Sequence, residues 1–135
     1  MNETWNDEYK SKQGNIGLGQ AIAYYTSKGV SVMIPLNDTQ KYDLVVDIDN
    51  KLYRVSVKTT RYKAKSGNFE VQLKNCGGGS NGSVIRKFDN TTCDILFIYT
   101  IDGDTYEIPS ENIKATSSII LNPNIYGKYK VKDCL

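Results

Sequence analysis

Residues 41–59 read KYDLVVDIDNKLYRVSVKT and contain two strand-forming runs on either side of Asp49 and Asn50. The first run, residues 42–48, is rich in aliphatic side chains without regular alternation and predicts a buried strand. The second run, residues 52–59, alternates apolar and polar side chains and predicts a half-buried strand. Because turn-forming residues separate the two runs, the stretch predicts a β-hairpin.

The polar side of the second strand carries the residues of chemical interest. Ser56 and Lys58 are two positions apart, so their side chains point to the same face of the strand, whereas Val55 and Val57 point to the other. Once the two strands pair, Asp43 at the start of the first strand can approach this polar face. The hairpin therefore predicts a carboxylate and an ammonium group close together at the edge of a sheet.

The rest of the chain supplies a helix and further strands around this hairpin. Residues 16–28 carry an apolar stripe at helical spacing, and Gly29 is a natural stop. Strands are predicted at residues 30–36, 68–74, 93–101, 105–108 and 117–121, with a hairpin turn at 102–104 and one helical turn at 109–113. This order predicts one α/β or α+β domain over residues 1–135, with a mixed central β-sheet flanked by helices.

A glycine-rich segment, CGGGSNGS at residues 76–83, interrupts these elements. Its composition is typical of a flexible chain, and it lacks the lysine and the following helix of a phosphate-binding P-loop. We interpret it as a mobile loop.

Composition excludes several classes of enzyme. The chain has no histidine, which removes Ser-His and Cys-His catalytic arrangements, and its three cysteines lack CxxC spacing. No apolar run approaches the roughly 20 residues of a membrane helix, and the first ten residues are polar. We therefore expect a cytoplasmic protein without an export signal or membrane contact, in which any hydrolysis depends on carboxylates, lysine and metal.

The net charge of +2 is small, but its distribution is uneven. Seven basic residues lie between Lys51 and Asn75 against one acidic residue, Glu70. Those basic residues are Lys51, Arg54, Lys58, Arg61, Lys63, Lys65 and Lys74. A cluster of this kind can follow the phosphates of a nucleic acid, and Tyr62 among the cations can pack on a sugar or a base. From charge alone, this interpretation and a solvated strand rim, in which lysines protect an exposed edge, are equally favoured.

The hairpin resembles the PD-(D/E)XK nuclease superfamily, in which an acid on one strand is followed by Glu or Gln, any residue and Lys on the next. Further segments are similar to its small group I intron-associated endonucleases. They are GNIGLGQAIA at residues 14–23, KGVSVMIP at 28–35, CDILFIY at 93–99 and YEIP at 106–109. The resemblance covers roughly residues 12–121 and implies a restriction-endonuclease-like fold.

The resemblance also implies a metal-dependent active site. Asp43 is expected to bind Mg²⁺, or Mn²⁺ in its place, with the backbone carbonyl of Val57, while Lys58 orients or activates the attacking water. Gln20 and Ser56 stand where the family usually has Glu and Glu or Gln, and they complete the candidate catalytic set. Both are neutral oxygen donors, so we expect weak Mg²⁺ binding. Glu70 is a further candidate acid because its strand follows the hairpin.

These features lead to an interpretation as an Mg²⁺-dependent DNA endonuclease that cleaves double-stranded DNA as a homodimer or a higher homo-oligomer. The adjacent hairpin favours the DNA interpretation of the basic cluster. The candidate DNA-binding residues are Arg54, Arg61, Lys63 and Lys65. Two alternatives remain open. One is a nuclease-fold protein that has lost catalysis and binds DNA or a protein as a regulator or inhibitor. The other is a protein-binding module that uses some of the ten tyrosines.

Overall fold

The structure is a computed structural model that describes the backbone of residues 7–37, 39–79 and 82–131. Within these residues, no helix is both long enough and apolar enough to cross a membrane. In chain order the elements are α1 (Asp7–Ser27), β1 (Ser31–Met33), β2 (Leu44–Ile48), β3 (Lys51–Thr60), β4 (Glu70–Gln72), β5 (Asn75–Gly79), β6 (Gly82–Arg86), β7 (Ile95–Thr100), β8 (Thr105–Pro109), β9 (Ser118–Ile120), α2 (Pro123–Tyr126) and β10 (Lys130–Val131), with 3₁₀ turns at Ser110–Asn112 and Gly127–Tyr129.

A six-stranded mixed sheet forms the centre of the protein, in the order β1-β2-β3-β7-β8-β10. Strands β2 and β3 are antiparallel, whereas β3 and β7 are parallel and the remaining neighbours are antiparallel. Together with α1, this arrangement confirms the predicted α+β class with a mixed central sheet.

The turn between β2 and β3 is the one that the sequence predicted. Asp49 and Asn50 have φ values of 54° and 66°, so both occupy the left-handed region. Two left-handed residues in succession form a type I′ turn, whose twist matches that of the flanking strands. The turn fixes the register of the hairpin, in which Leu44 pairs with Val55 and Ile48 with Lys51.

Each face of the central sheet is covered by its own apolar core. Helix α1 packs on one face, where Ala21 and Tyr25 meet Val55 and Phe97. The Tyr25 hydroxyl also donates a 2.6 Å hydrogen bond to the Glu107 carboxylate, which ties α1 to β8. The other face is covered by the β4–β9 pair and the segments around it, in a core of Phe69, Val71, Leu73, Leu96, Ile98, Tyr106, Ile108, Ile113, Ile119 and Leu121. We call this second layer the β4–β9 layer.

Three predicted elements differ from the structure. Helix α1 begins at Asp7, whereas the prediction began at residue 16. The prediction missed residues 7–13 because they are mostly polar and give no apolar stripe, although Glu, Lys and Gln favour helices. The predicted strand at 68–74 forms β4 and pairs with β9 outside the central sheet. The predicted mobile loop at 76–83 was wrong: residues 75–79 and 82–86 form an antiparallel hairpin, since backbone pairing does not require large side chains.

Close packing of α1 on β3 depends on Gly17. A Cβ atom at this position would overlap the Thr59 hydroxyl oxygen and lie 3.2 Å from the Thr59 Cβ. The Thr59 oxygen is itself buried and has no hydrogen-bond partner in the part of the chain that the structure describes. Gly17 therefore sets the distance between the helix and the strand that carries Lys58.

We expect Gly17→Ala to lower the free energy of unfolding by about 1–3 kcal/mol through overpacking. Gly14 and Gly19 have open space around them, so Gly14→Ala and Gly19→Ala are matched controls that should stabilise the helix by up to about 1 kcal/mol. Because the Thr59 hydroxyl has no hydrogen-bond partner among the described residues, Thr59→Ala should restore much of the stability when combined with Gly17→Ala. Urea unfolding measures all four variants, and equal effects at positions 14, 17 and 19 would contradict the packing.

Candidate active site

Asp43 lies just before the start of β2, beside the stretch of β3 that extends beyond its pairing with β2. We call this side of that stretch the open edge of β3. Its backbone N–H donates to the carbonyl oxygen of Val55 at 2.8 Å. Its side-chain Oδ2 then accepts a 2.7 Å hydrogen bond from the backbone N–H of Val57. The carboxylate thus occupies a position at which β2 would have paired with β3 if the strand had begun earlier in the chain.

The backbone of Val57 faces the same edge. In a strand, the N–H and C=O groups of one residue point toward the same neighbour, and residues two apart share that direction. Val55 bonds toward Asp43 through its carbonyl, and Val57 does so through its N–H. The Val57 carbonyl therefore points to the open edge beside the Asp43 carboxylate. Metal binding by these two oxygens stays a prediction.

Lys58 is half-buried next to this edge, on the face covered by the β4–β9 layer, where it pairs with Ile98. Burial lowers the pKa of its ammonium group, and the negative charge of Asp43 opposes that change. Burial likewise raises the pKa of Asp43, opposed by the Val57 N–H and by Lys58. The two groups are thus electrostatically coupled and both are partly removed from water.

Ser56 and Gln20 take different positions around this pair. Ser56 is only 5% exposed and lies opposite Leu96, so its hydroxyl belongs to the buried side of β3. Gln20 is exposed on α1, one turn after Gly17 and therefore near the end of β3 that carries Thr59. Their catalytic roles remain predictions.

Glu70 lies on β4, and β4 contacts β3 without being part of the central sheet. The backbone carbonyl of Glu70 accepts a hydrogen bond from the Thr60 hydroxyl. The backbone N–H of Glu70 donates to the backbone carbonyl of Tyr62 at 2.8 Å. These bonds hold Glu70 beside the end of β3. Its neighbour Val71 points into the β4–β9 core, so the Glu70 side chain turns away from that core.

The donor set at the edge fits a hard cation that retains water. Among the residues whose structure is described, no group of three or more Asp, Glu, Cys or His side chains could hold a metal. The site instead offers one carboxylate, from Asp43, and one backbone carbonyl, from Val57. Mg²⁺ typically keeps several waters and binds through one or two carboxylates together with substrate phosphates. The chemistry of the donors therefore suits Mg²⁺ in the presence of a phosphodiester.

The four candidate DNA-binding residues separate into two groups. Arg54 lies toward the other end of β3 and is bound by Asp94: its Nε donates to Oδ2 at 3.2 Å and its Nη2 to Oδ1 at 3.1 Å. The backbone N–H of Arg54 also donates to Asp94, at 2.8 Å. This pairing joins β3 to the segment that leads into β7, and contact between Arg54 and DNA remains a prediction.

The other three candidates lie on the connection from β3 to β4, close to Lys58. Lys63 pairs with Phe69 across this connection, which turns at Gly67 with φ of 89°. The Lys63 Nζ also lies 3.7 Å from Oδ2 of Asp102. Lys65 is exposed and Arg61 is partly exposed. We call residues 61–67 the basic loop, and it places cations next to the proposed site.

Sequence reasoning missed several structural partners of these residues. The pairing of Arg54 with Asp94 joins positions 40 residues apart and leaves no local pattern. Arg86 and Lys87 were also left out of the basic cluster, because the count of basic residues ended at Asn75, before the glycine-rich segment that precedes them. A charge count extended beyond Asn75 would have found them, since residues 51–88 contain nine of the 17 basic and one of the 15 acidic residues.

We expect Asp43→Asn to be more stable than the wild type at neutral pH. Burial raises the pKa of Asp43 in the folded protein above its ordinary value of 3.8, so the folded state binds this proton more tightly than the unfolded chain does. The stability that comes from the neutral carboxyl is fully present below pH 3.8 and is lost as pH rises through the folded pKa. Asparagine stays neutral at every pH.

Thermal unfolding of both proteins across this pH range measures the effect. The difference in Tm should be largest at neutral pH and should disappear below the ordinary pKa of Asp43. A wild type that is at least as stable as the variant at neutral pH would show that the carboxylate is not destabilised by the fold.

Comparisons with known proteins agree with this fold. The chain is similar to a bacterial homing endonuclease, I-Ssp6803I, with a TM-score of 0.72 and 27% sequence identity over 83% of this chain and 77% of that chain. A search of the curated proteins found no match. The family model described as PD-(D/E)XK endonuclease matches residues 9–126, which include most of α1, the β2–β3 hairpin and β7. The chain therefore belongs to the PD-(D/E)XK endonuclease family.

Proposed function

We propose that the protein is an Mg²⁺-dependent endonuclease that hydrolyses phosphodiester bonds in double-stranded DNA at the edge of β3. The observation that carries this proposal is the meeting of the Asp43 carboxylate and the Val57 carbonyl at one open strand edge, beside the half-buried Lys58. Membership of an endonuclease family and similarity to a homing endonuclease support the choice of DNA as substrate.

In this proposal Asp43 and Val57 hold the cation, and the Ser56 hydroxyl and the Gln20 amide are additional oxygen donors, directly or through water. A bound Mg²⁺ would supply Lewis-acid stabilisation of the negative charge that develops on the phosphate. The Val57 N–H fixes one oxygen of the Asp43 carboxylate, which leaves the other oxygen to face the substrate in this proposal. This fixed orientation lowers the cost of assembling the site around DNA.

Lys58 is the proposed partner of the attacking water. Its side chain leaves β3 next to Val57 and lies within the electrostatic reach of Asp43. An ammonium there can orient a water molecule and stabilise charge on the phosphate, and its lowered pKa also makes proton transfer easier. Both roles require the amine at this position and are lost together when it is removed.

The basic loop is the proposed phosphate contact nearest to the site. Arg61, Lys63 and Lys65 lie on the segment that directly follows β3, and Tyr62 between them is 62% exposed. Cations beside a reactive phosphate contribute sequence-independent affinity, and an exposed aromatic ring can pack on a sugar or base. Since each chain offers one such site, cleavage of both strands of a duplex would use two copies in a homo-oligomer.

A second candidate function rests on the one carboxylate that the described part of the chain brings to the site. A protein of this family that had lost hydrolysis would still bind DNA through its basic residues, and its binding would depend on salt but not on divalent cations. The two functions separate when supercoiled plasmid and labelled duplexes are incubated with Mg²⁺, Mn²⁺ or EDTA. Nicking by the wild type that both Lys58→Ala and Asp43→Asn remove supports the nuclease, whereas cation-independent binding without cleavage supports the second function.

A further inference from the structure

The β5–β6 hairpin is a two-stranded ribbon that lies outside the other two sheets. Its strands pair with each other from Asn75 and Arg86 at the base to Gly79 and Gly82 near the tip. Five residues per strand give a length of about 17 Å at roughly 3.4 Å per residue. The ribbon is therefore an extended element that the central sheet does not require.

Both ends of the ribbon are attached to the β4–β9 layer. The backbone N–H of Lys74, just before β5, donates to the carbonyl of Ser117 at 3.2 Å. The N–H of Phe88, just after β6, donates to the carbonyl of Thr116 at 2.8 Å, and the Phe88 ring packs against the core of this layer. Because the same layer covers the face of β3 that carries Lys58, the ribbon starts from the active-site side of the sheet and not from the α1 side.

The charge of the ribbon differs from that of most of the chain. Residues 74–88 contain Lys74, Arg86 and Lys87 and no acidic residue. Arg86 and Lys87 are exposed. These cations extend the positive region of the basic loop, whereas residues 1–50 and 89–135 together contain 14 of the 15 acidic residues. Residues 51–88, which carry the site and the ribbon, thus hold nine basic residues and one acidic residue.

The dimensions of the ribbon match one groove of a DNA duplex. Two paired strands lie about 4.8 Å apart, and with side chains such a ribbon fits the major groove, which is about 12 Å wide, but not the minor groove of about 6 Å. Residues 77–79 of β5 are all glycine, so this strand can approach the groove floor or wall closely.

We propose that the β5–β6 ribbon enters the major groove of duplex DNA beside the scissile phosphate, with Arg86 and Lys87 on phosphates at the edge of the groove. This inference rests on the proposed function, because it assumes that duplex DNA is the substrate of the neighbouring site. It assigns to the ribbon a role in positioning DNA that is separate from the chemistry at Asp43 and Lys58.

The test compares two double variants that remove the same charge. Arg86→Ala with Lys87→Ala removes two cations from the ribbon, and Lys28→Ala with Lys128→Ala removes two exposed cations from elsewhere on the surface. A fluorescent 30-base-pair random-sequence duplex is titrated in Ca²⁺ over a range of salt concentrations. The ribbon variant should lose at least about tenfold in affinity, and its log–log salt slope should fall by about 1.8, roughly 0.9 for each lost phosphate contact. The control variant should keep the wild-type slope.

A second measurement identifies the groove. The same titration uses a duplex whose cytosines carry glucosylated hydroxymethyl groups, which fill the major groove and leave the minor groove open. The wild type should bind this duplex more weakly than plain DNA, and the ribbon variant should show a smaller difference between the two.

Two failures are distinguishable. Wild-type protein that binds no duplex at low salt would overturn the proposed function together with this inference. Wild-type binding that is equal on plain and glucosylated DNA, or equal losses in the two double variants, would overturn the ribbon alone. Far-UV circular dichroism confirms that each variant is folded, and Arg86→Lys with Lys87→Arg should retain the wild-type salt slope.

Discussion

Lys58→Met should reduce Mg²⁺-dependent DNA cleavage by about 10³-fold, within the range that a single proton-transfer or charge-stabilising group contributes. Methionine keeps an unbranched side chain of similar length in the half-buried position but removes the amine that interacts electrostatically with Asp43. The rate of the cleavage step should therefore fall, while DNA affinity in Ca²⁺ should change little because the basic loop and the ribbon are intact.

We expect Lys58→Met to remain as stable as the wild type. Burial lowers the pKa of Lys58, which means that folding disfavours its charged form, so a neutral side chain should leave the protein at least as stable. Lys28→Met is the matched control, since Lys28 is exposed after α1 and lies over the ring of Tyr24, far along the helix from Gly17. Single-turnover cleavage rates compare the three proteins, and a Lys58→Met rate within a few-fold of wild type would remove Lys58 from the chemistry.

Asp43→Asn should abolish the part of DNA affinity that depends on a divalent cation. With one carboxylate from the described residues, the cation needs oxygens from the DNA phosphate, so protein, cation and DNA should bind cooperatively. The wild type should bind duplex DNA about 10- to 100-fold more tightly in Ca²⁺ than in EDTA. Mutations of the residues that support metal ligands change metal affinity over the same range. The variant should show no such difference, and its cleavage activity should be lost.

The direction of the change in EDTA provides an internal check. Removing a negative charge from the DNA-facing edge should leave the variant with equal or higher affinity in EDTA. Asp47→Asn is the control, because Asp47 lies on β2, the strand that follows Asp43, and pairs with Leu52 near the hairpin turn. Fluorescence anisotropy in Ca²⁺ and in EDTA measures the three proteins. A cation effect that persists in Asp43→Asn would place the metal on other residues.

The sequence predicted the β2–β3 hairpin because its signals are local. Alternation defines the face of β3, and Asp49 and Asn50 at positive φ define the turn. Proximity of Asp43 to Lys58 followed from those two facts. By contrast, the hydrogen bond from Val57 to Asp43 depends on where β2 begins, and no periodic pattern marks the start of a strand to a single residue.

Non-local partners explain most of what could not be predicted. Strand order in the central sheet places β7 beside β3, and Arg54 meets Asp94 only because of that order. Strand β4 lies outside the central sheet and pairs with β9, so the position of Glu70 relative to the hairpin could not be predicted from the sequence. The β5–β6 ribbon was missed because glycine is a poor local signal for a strand.

Mapping the DNA ends that the wild-type protein produces in a whole bacterial genome tests the central claim most directly, because a genome also contains rare sites. Purified genomic DNA is incubated with the wild type in Mg²⁺, with the wild type in EDTA and with Lys58→Met in Mg²⁺, and the new ends are sequenced. The proposed function predicts ends that recur at defined positions in the first sample and are absent from the other two. Identical distributions of ends in all three samples would show that the Asp43–Lys58 site does not hydrolyse DNA.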